Sequence, residues 1–232
     1  MNTFFYLLLF PVLAFSQSNL DSVETLFQKK QYVKAENTIN KYLEENPNNL
    51  HAIELLGDTY GHQKKWDKAI SEYKKLIEVD ESVANYHYKY GGALGMKALE
   101  NKFKAIGFIG DVKSSFEKAA KLDPNHIEAR WALVELYMQL PSIFGGSKSK
   151  SLHFAEELEN LSKVDGYLAK GYVYEYDDEP GLAEKYYKMA INVGGSLTCF
   201  DKLTTLYESK NQPEKAIANI EEAQKKHNRN AL

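Results

Sequence analysis

The side chains able to do chemistry are few and scattered. Six histidines (His51, His62, His87, His126, His153 and His227) and one cysteine, Cys199, are the candidates for metal ligation or nucleophilic catalysis. No histidine stands at ligand spacing from another or from Cys199. His51 and His62 fall on one expected helix but three turns apart, too far to share an ion. Glu54 and Asp58, one helical turn apart, would serve as an acid and base pair only if burial split their pKa values, and nothing in the sequence points to such burial. The run Gly145-Gly146-Ser147-Lys148-Ser149 suggests a phosphate loop, but the Walker pattern needs another upstream glycine and a preceding strand. Neither is present, and an anion at the N-terminus of the following helix is the most it would offer. The sequence therefore predicts no catalytic residue, no metal and no cofactor. An enzyme using the groove carboxylates Glu54 and Asp58 stays as an alternative reading.

Composition narrows the partners. Lys and Arg number 29 against 32 Asp and Glu, for a net charge of −3. Without a cationic excess or stripe, nucleic acid is excluded as the main ligand. Six prolines and sixteen tyrosines in a chain rich in helix formers suit packed helices better than a sheet. Phe4 to Leu13 is an almost unbroken apolar run, followed by the small residues Ala14 and Ser16 around Phe15. This pattern predicts a signal peptide over 1–16 with Gln17 as the new N-terminus, and hence an exported protein, periplasmic or secreted. The run is too short to cross a bilayer, so no membrane span is expected after cleavage. With one cysteine no internal disulfide can form, and Cys199 is expected as a small core residue.

The elements that would position any site show up as a repeat. Ala35 and Ala69 are 34 residues apart, as are Gly57 and Gly91; Tyr174 and Tyr207 are 33 apart, as are Ala183 and Ala216. Pro47 and Pro124 sit in turn sequences that a helix cannot continue through. Leu56-Gly57-Asp58-Thr59-Tyr60 with Ala69 and Tyr73, Tyr90-Gly91 with Phe116, and Gly171-Tyr174 with Ala183 and Tyr187 carry a resemblance to the tetratricopeptide repeat. Leu133 with Tyr137, and Tyr207 with Ala216, match in part. The resemblance implies an all-α fold, a right-handed superhelical α-solenoid of about six helix pairs. The units start near 17–49, 50–83, 84–126, 127–163, 164–196 and 197–232, all within one repeat domain, 17–232. Small residues at Gly57, Gly91, Gly171, Ala69, Ala183 and Ala216 are expected to let two helix backbones approach, with Tyr60, Tyr137, Tyr174, Tyr73 and Tyr187 filling the gap between one pair and the next.

In that family the first helix of each pair lines a concave face. Carried over, this register places Glu54, Asp58, Tyr88, Trp131, Glu135, Met138, Tyr172, Glu175 and Tyr176 on it. With Glu24, Glu128, Asp165, Asp201 and Glu208 the face holds nine acids and no Lys or Arg. The expected partner is a peptide or protein segment that is basic or aromatic-rich, held by a non-catalytic scaffold. The spacing breaks twice, over 97–111 and 140–148, at the same point of neighbouring units. Phe108 and Ile109 with Ile143 and Phe144 are expected either to clasp together or to form an apolar edge for a structural partner. Similar inserted Gly-Gly turns occur in exported bacterial proteins of this repeat type.

Overall fold

The computed structural model describes the backbone over residues 11–100 and 102–229, and side chains over 20–100 and 106–227. Most of the apolar run expected as a signal, residues 1–10, lies outside the described residues, as does the side chain of Phe103. Pro11 to Ser16 are continuous with the first helix. Among the described residues there are twelve α-helices and no strand. They are α1 (Pro11–Gln28), α2 (Tyr32–Glu45), α3 (Leu50–His62), α4 (Trp66–Val79), α5 (Ala84–Glu100), α6 (Lys102–Leu122), α7 (Ile127–Gln139), α8 (Lys148–Leu161), α9 (Lys163–Tyr176), α10 (Pro180–Val193), α11 (Leu197–Ser209) and α12 (Pro213–Arg229). Consecutive helices pack as pairs, α1 with α2 through α11 with α12. The chain divides into two compact units, residues 1–122 and 123–232.

Local chemistry starts and stops each helix. First helices open on capping side chains: Asn49 accepts from Ala52 N–H, Ser162 from Asp165 and Ser196 from Cys199. Each cap of this kind contributes about 0.5–2 kcal/mol. Pro180 and Pro213 open α10 and α12, where the missing N–H costs nothing. Four of the turns inside pairs end the same way. Lys30, Lys64, Asp178 and Asn211 adopt left-handed backbone (φ 54°, 58°, 57° and 53°). The next residue's N–H then returns to a carbonyl of the first helix, as Lys65 N to Tyr60 O at 2.9 Å. The remaining two turns are the lengthened ones. Around residue 101 the extra residues extend α5 and α6 themselves. After α7 they form a 3₁₀ turn, Ser142–Phe144, closed by Gly145 at φ 93°.

The glycines do allow close approach, but Tyr73 and Tyr187 fill a contact inside their own pair rather than the expected gap between pairs. A Cβ on Gly57 would meet the Tyr73 ring at 2.6 Å, one on Gly91 the Phe116 ring at 3.1 Å, and one on Gly171 the Tyr187 ring at 2.3 Å. In the first unit Val23, Ala35, Ile39, Leu56, Ala69 and Leu76 build the core. In the second, Val134, Leu158 and Val173 form one cluster, and Ala183, Tyr187, Cys199, Phe200 and Leu206 another. Cys199 is buried, as expected of a small core residue. The polar side chains among these residues are satisfied: Asn219 donates to Phe200 O at 2.8 Å and Ser151 to Val134 O at 2.8 Å.

Candidate binding surface

In the first unit the acidic residues expected on the concave face are already occupied. Glu54 and Asp58 stand one turn apart on α3, and Lys89 of α5 reaches between them, with Nζ 2.7 Å from each carboxylate. Asn85 donates a further bond to Glu54 at 2.7 Å, and the Tyr73 hydroxyl donates to Asp58 at 2.7 Å. Burial works against the Lys89 charge, but Asp58 and Glu54 outweigh it and hold its pKa above the ordinary lysine value. Burial first, and then the neighbouring Asp58, push the Tyr73 hydroxyl far upward. Lys89 directly follows Tyr88, so the acidic reading of this stretch omitted a cation one position away. Tyr88 is half-buried, its ring centroid 6.0 Å from that of Phe116.

The second unit differs. Trp131 on α7 is half-buried and donates its indole N–H to Asp165 of α9 at 2.9 Å, so it joins two first helices. Glu175 accepts from the Tyr187 hydroxyl at 2.6 Å, repeating the arrangement of Asp58 and Tyr73. Met138 packs against the cluster around Val134. One turn along α7 from Trp131, Glu135 has no hydrogen-bond or ion-pair partner among the described residues. Glu135 is exposed on the surface of α7, with protein close enough to its carboxyl to matter. This desolvation raises its pKa above the usual carboxylate value, with Lys202 pulling the other way. The Tyr172 hydroxyl stands beside it. Burial raises the Tyr172 pKa first, the hydrogen bond from Gln139 opposes that, and the charges of Glu135 and Glu175 add to it. Tyr172 and the exposed Tyr176 hold their rings 6.0 Å apart at 46°. Glu135, Met138, Tyr172 and Tyr176 thus make an acidic, ring-lined surface with one carboxylate left unpaired.

The expected edge residues are divided between the two units. Phe108 and Ile109 are half-buried on α6, with the Lys97 ammonium 5.4 Å above the Phe108 ring. Phe144 is half-buried in its 3₁₀ turn, whereas Ile143 is 84 % exposed. Lys148, at the end of that turn, pairs with Asp177 and Glu179 in the turn between α9 and α10. Among the described residues no three His, Cys, Asp or Glu side chains converge as metal ligands, and no helix is long and apolar enough to cross a membrane.

Ion pairs between neighbouring pairs give the stability a pH dependence. Burial raises the Glu36 carboxyl, but hydrogen bonds from Lys65 and Gln63 and the charges of Lys65 and Lys68 prevail and hold it low. Glu184 is held low in the same way by Lys188, Tyr207 and Lys215 against its own burial. A carboxylate depressed in the folded state stabilises it fully above the unfolded value, about 4.3. That contribution is lost as pH falls through the depressed folded value. The urea midpoint is therefore expected to drop as pH is lowered from about 5 toward about 3. A combined Glu36→Gln and Glu184→Gln variant should show a visibly shallower drop.

Residues 50–83 match the family model described as tetratricopeptide repeat. No curated protein matches the chain in sequence. Solved structures share its fold. A thermophilic tetratricopeptide repeat protein of Thermus thermophilus is 15% identical, with 82% of this chain and 98% of that one covered and a TM-score of 0.67. PilW, described as a widely conserved type IV pilus biogenesis factor, is 15% identical, covering 90% and 92%, at 0.66. YrrB, described as having an unusual peptide-binding site, is 16% identical, covering 83% and 90%, at 0.52. At these identities the likeness carries the fold alone.

Proposed function

Because the chain is built as a tetratricopeptide repeat protein, we propose that it is a non-catalytic scaffold gripping a protein segment that presents a cation beside an aromatic ring. The observation that carries this reading is Glu135. Its unpaired carboxylate is close enough to Tyr172 to act on its hydroxyl, Met138 follows one turn along α7, and Tyr176 stands beside Tyr172. A Lys or Arg side chain would satisfy the carboxylate and lie against tyrosine faces, gaining about 0.5–2 kcal/mol from each ring it covers. The fold supports the general role, since arrays of this type present extended surfaces to partners. The expected concave site narrows accordingly. Glu54 and Asp58 are held by Lys89, and Trp131 and Glu175 hold neighbours in place, so the grip is assigned to Glu135, Met138, Tyr172 and Tyr176.

A set of short peptides carrying Arg or Lys next to Phe, Tyr or Trp, with acidic counterparts, tests the proposal by direct binding. The cationic set should bind and weaken as salt is raised. Glu135→Gln should lose about tenfold or more in affinity, within the range for a charge-assisted contact. Equal binding of the acidic set would refute it. Location in the envelope or periplasm belongs to the same proposal and rests on the apolar N-terminal run.

A second reading is favoured by one observation, the 84 % exposure of Ile143. In it the chain is a structural assembly subunit using the apolar residues of 97–111 or 140–148. Ile143→Ser would then abolish association while Glu135→Gln left it intact.

A further inference from the structure

At the end of the second unit, α11 and α12 leave a groove of about 610 Å³ lined by Leu197, Phe200, Asp201, Ile220, Ala223 and His227, among others. Leu197 is 63 % exposed and Ile220 42 %. Elsewhere in this unit the same kind of groove is filled. Helix α9 rests on both α7 and α8, and α11 on both α9 and α10. The groove on α11 and α12 continues that row of helix seats.

Two seats, on α3 and on α7, carry a polar contact at the fifth residue of the first helix. Glu54, the fifth residue of α3, meets Asn85 and Lys89, the second and sixth residues of α5. Trp131, the fifth residue of α7, meets Asp165, the third residue of α9, with donor and acceptor exchanged. The fifth residue of α11 is Asp201. It lines the groove and has no hydrogen-bond or ion-pair partner among the described residues. An acid at this position awaits a donor from the opening turns of a seated helix.

We propose that this groove is a docking seat for an amphipathic α-helix of a partner protein, apolar on one face and bearing an amide or ammonium donor in its first two turns. Apolar burial of Leu197 and Ile220 supplies the attraction, and Asp201 sets the helix's register and direction. The seat is separate from the surface around Glu135, and neither proposal depends on the other.

A synthetic peptide of residues 83–100, which reproduces α5 with Asn85 and Lys89, is the probe. Titrated into the full chain, it should protect backbone amides in 197–204 and 220–227 from hydrogen exchange. Leu197→Lys combined with Ile220→Lys should remove that protection without changing the unfolding midpoint, since both side chains are exposed. A peptide with alanine at both donor positions should bind about tenfold more weakly. Absence of protection at millimolar peptide, or protection that survives the lysine substitutions, would overturn the proposal. A concentration-dependent dimer protecting the same segments without peptide would assign the seat to a second copy of the chain, and would equally overturn it.

Discussion

Gly166→Ala is expected to cost about 3 kcal/mol of folding stability, at the upper end of what overpacking usually does. A Cβ at this position would lie 2.2 Å from the Glu159 Cα and 2.5 Å from its backbone nitrogen. The obstacle is therefore the backbone of α8, which cannot rotate aside as a side chain does. Relief requires α8 and α9 to separate, and that separation loosens the cluster of Val134, Ala155, Leu158, Ala169 and Val173 packed between them. Gly107→Ala on α6 is the matched control. A Cβ there meets nothing within 4 Å, so the better helix former should gain up to about 1 kcal/mol. Urea denaturation of the two variants checks both signs. Equal effects would mean that the α8–α9 contact is looser than described.

Tyr187→Ala should be comparably severe, at about 3–5 kcal/mol, in line with large aromatic truncations. Tyr187 is fully buried, its ring lies against Gly171, and its hydroxyl donates to Glu175 at 2.6 Å. Tyr187→Phe separates these contributions. It keeps the ring and removes a hydrogen bond to a charged acceptor, for a loss of about 1.5–3 kcal/mol. Glu175 remains partly open to solvent, which favours the lower figure. The chain contains its own precedent, since Phe116 fills the equivalent contact against Gly91 with no hydroxyl at all. If the phenylalanine variant unfolded as readily as the alanine one, the hydrogen bond would outweigh packing at this contact.

The glycines were readable as points of close approach because they repeat at a fixed spacing, but the ring that each one faces inside its own pair was not. Gly57, Gly91 and Gly171 each lack the Cβ that Tyr73, Phe116 or Tyr187 would strike. The left-handed turns were not readable. Their residues are Lys30, Lys64, Asp178 and Asn211, of which only the last two belong to types that favour this backbone. Glycine, the usual signal, is missing at all four, and the conformation is imposed by the two helices that the turn joins. The insertion near residue 101 read either as a stretch lengthening two helices or as a long apolar turn, and its residues prolong α5 and α6. Short apolar stretches do not reveal whether they loop out or extend a helix.

The charge of the candidate surface was legible only in part. Counting signs on first helices identified the acids but could not foresee that Lys89 bends between Glu54 and Asp58, 31 residues from the latter. Neighbouring helices bring together residues that linear spacing keeps apart, so a face counted helix by helix overstates its field. Glu135 stands out for the converse reason. Lys202 lowers its pKa without forming a bridge. The nine acids that looked equivalent in the sequence divide in three dimensions: Glu54, Asp58, Asp165 and Glu175 hold protein partners, whereas the exposed Glu135 holds none and nearby protein raises its pKa.

That distinction can be measured. Desolvation by nearby protein raises the Glu135 pKa in the free protein, and a bound cation would bring it back down. Just above the ordinary carboxylate range, part of the population should therefore release a proton as a cationic peptide binds. Calorimetric titration in two buffers of different ionisation enthalpy reads this as a difference in apparent binding heat. A difference that disappears in Glu135→Gln is the predicted result. Identical heats in both buffers, or proton release persisting in that variant, would contradict the assignment of this carboxylate to the ligand.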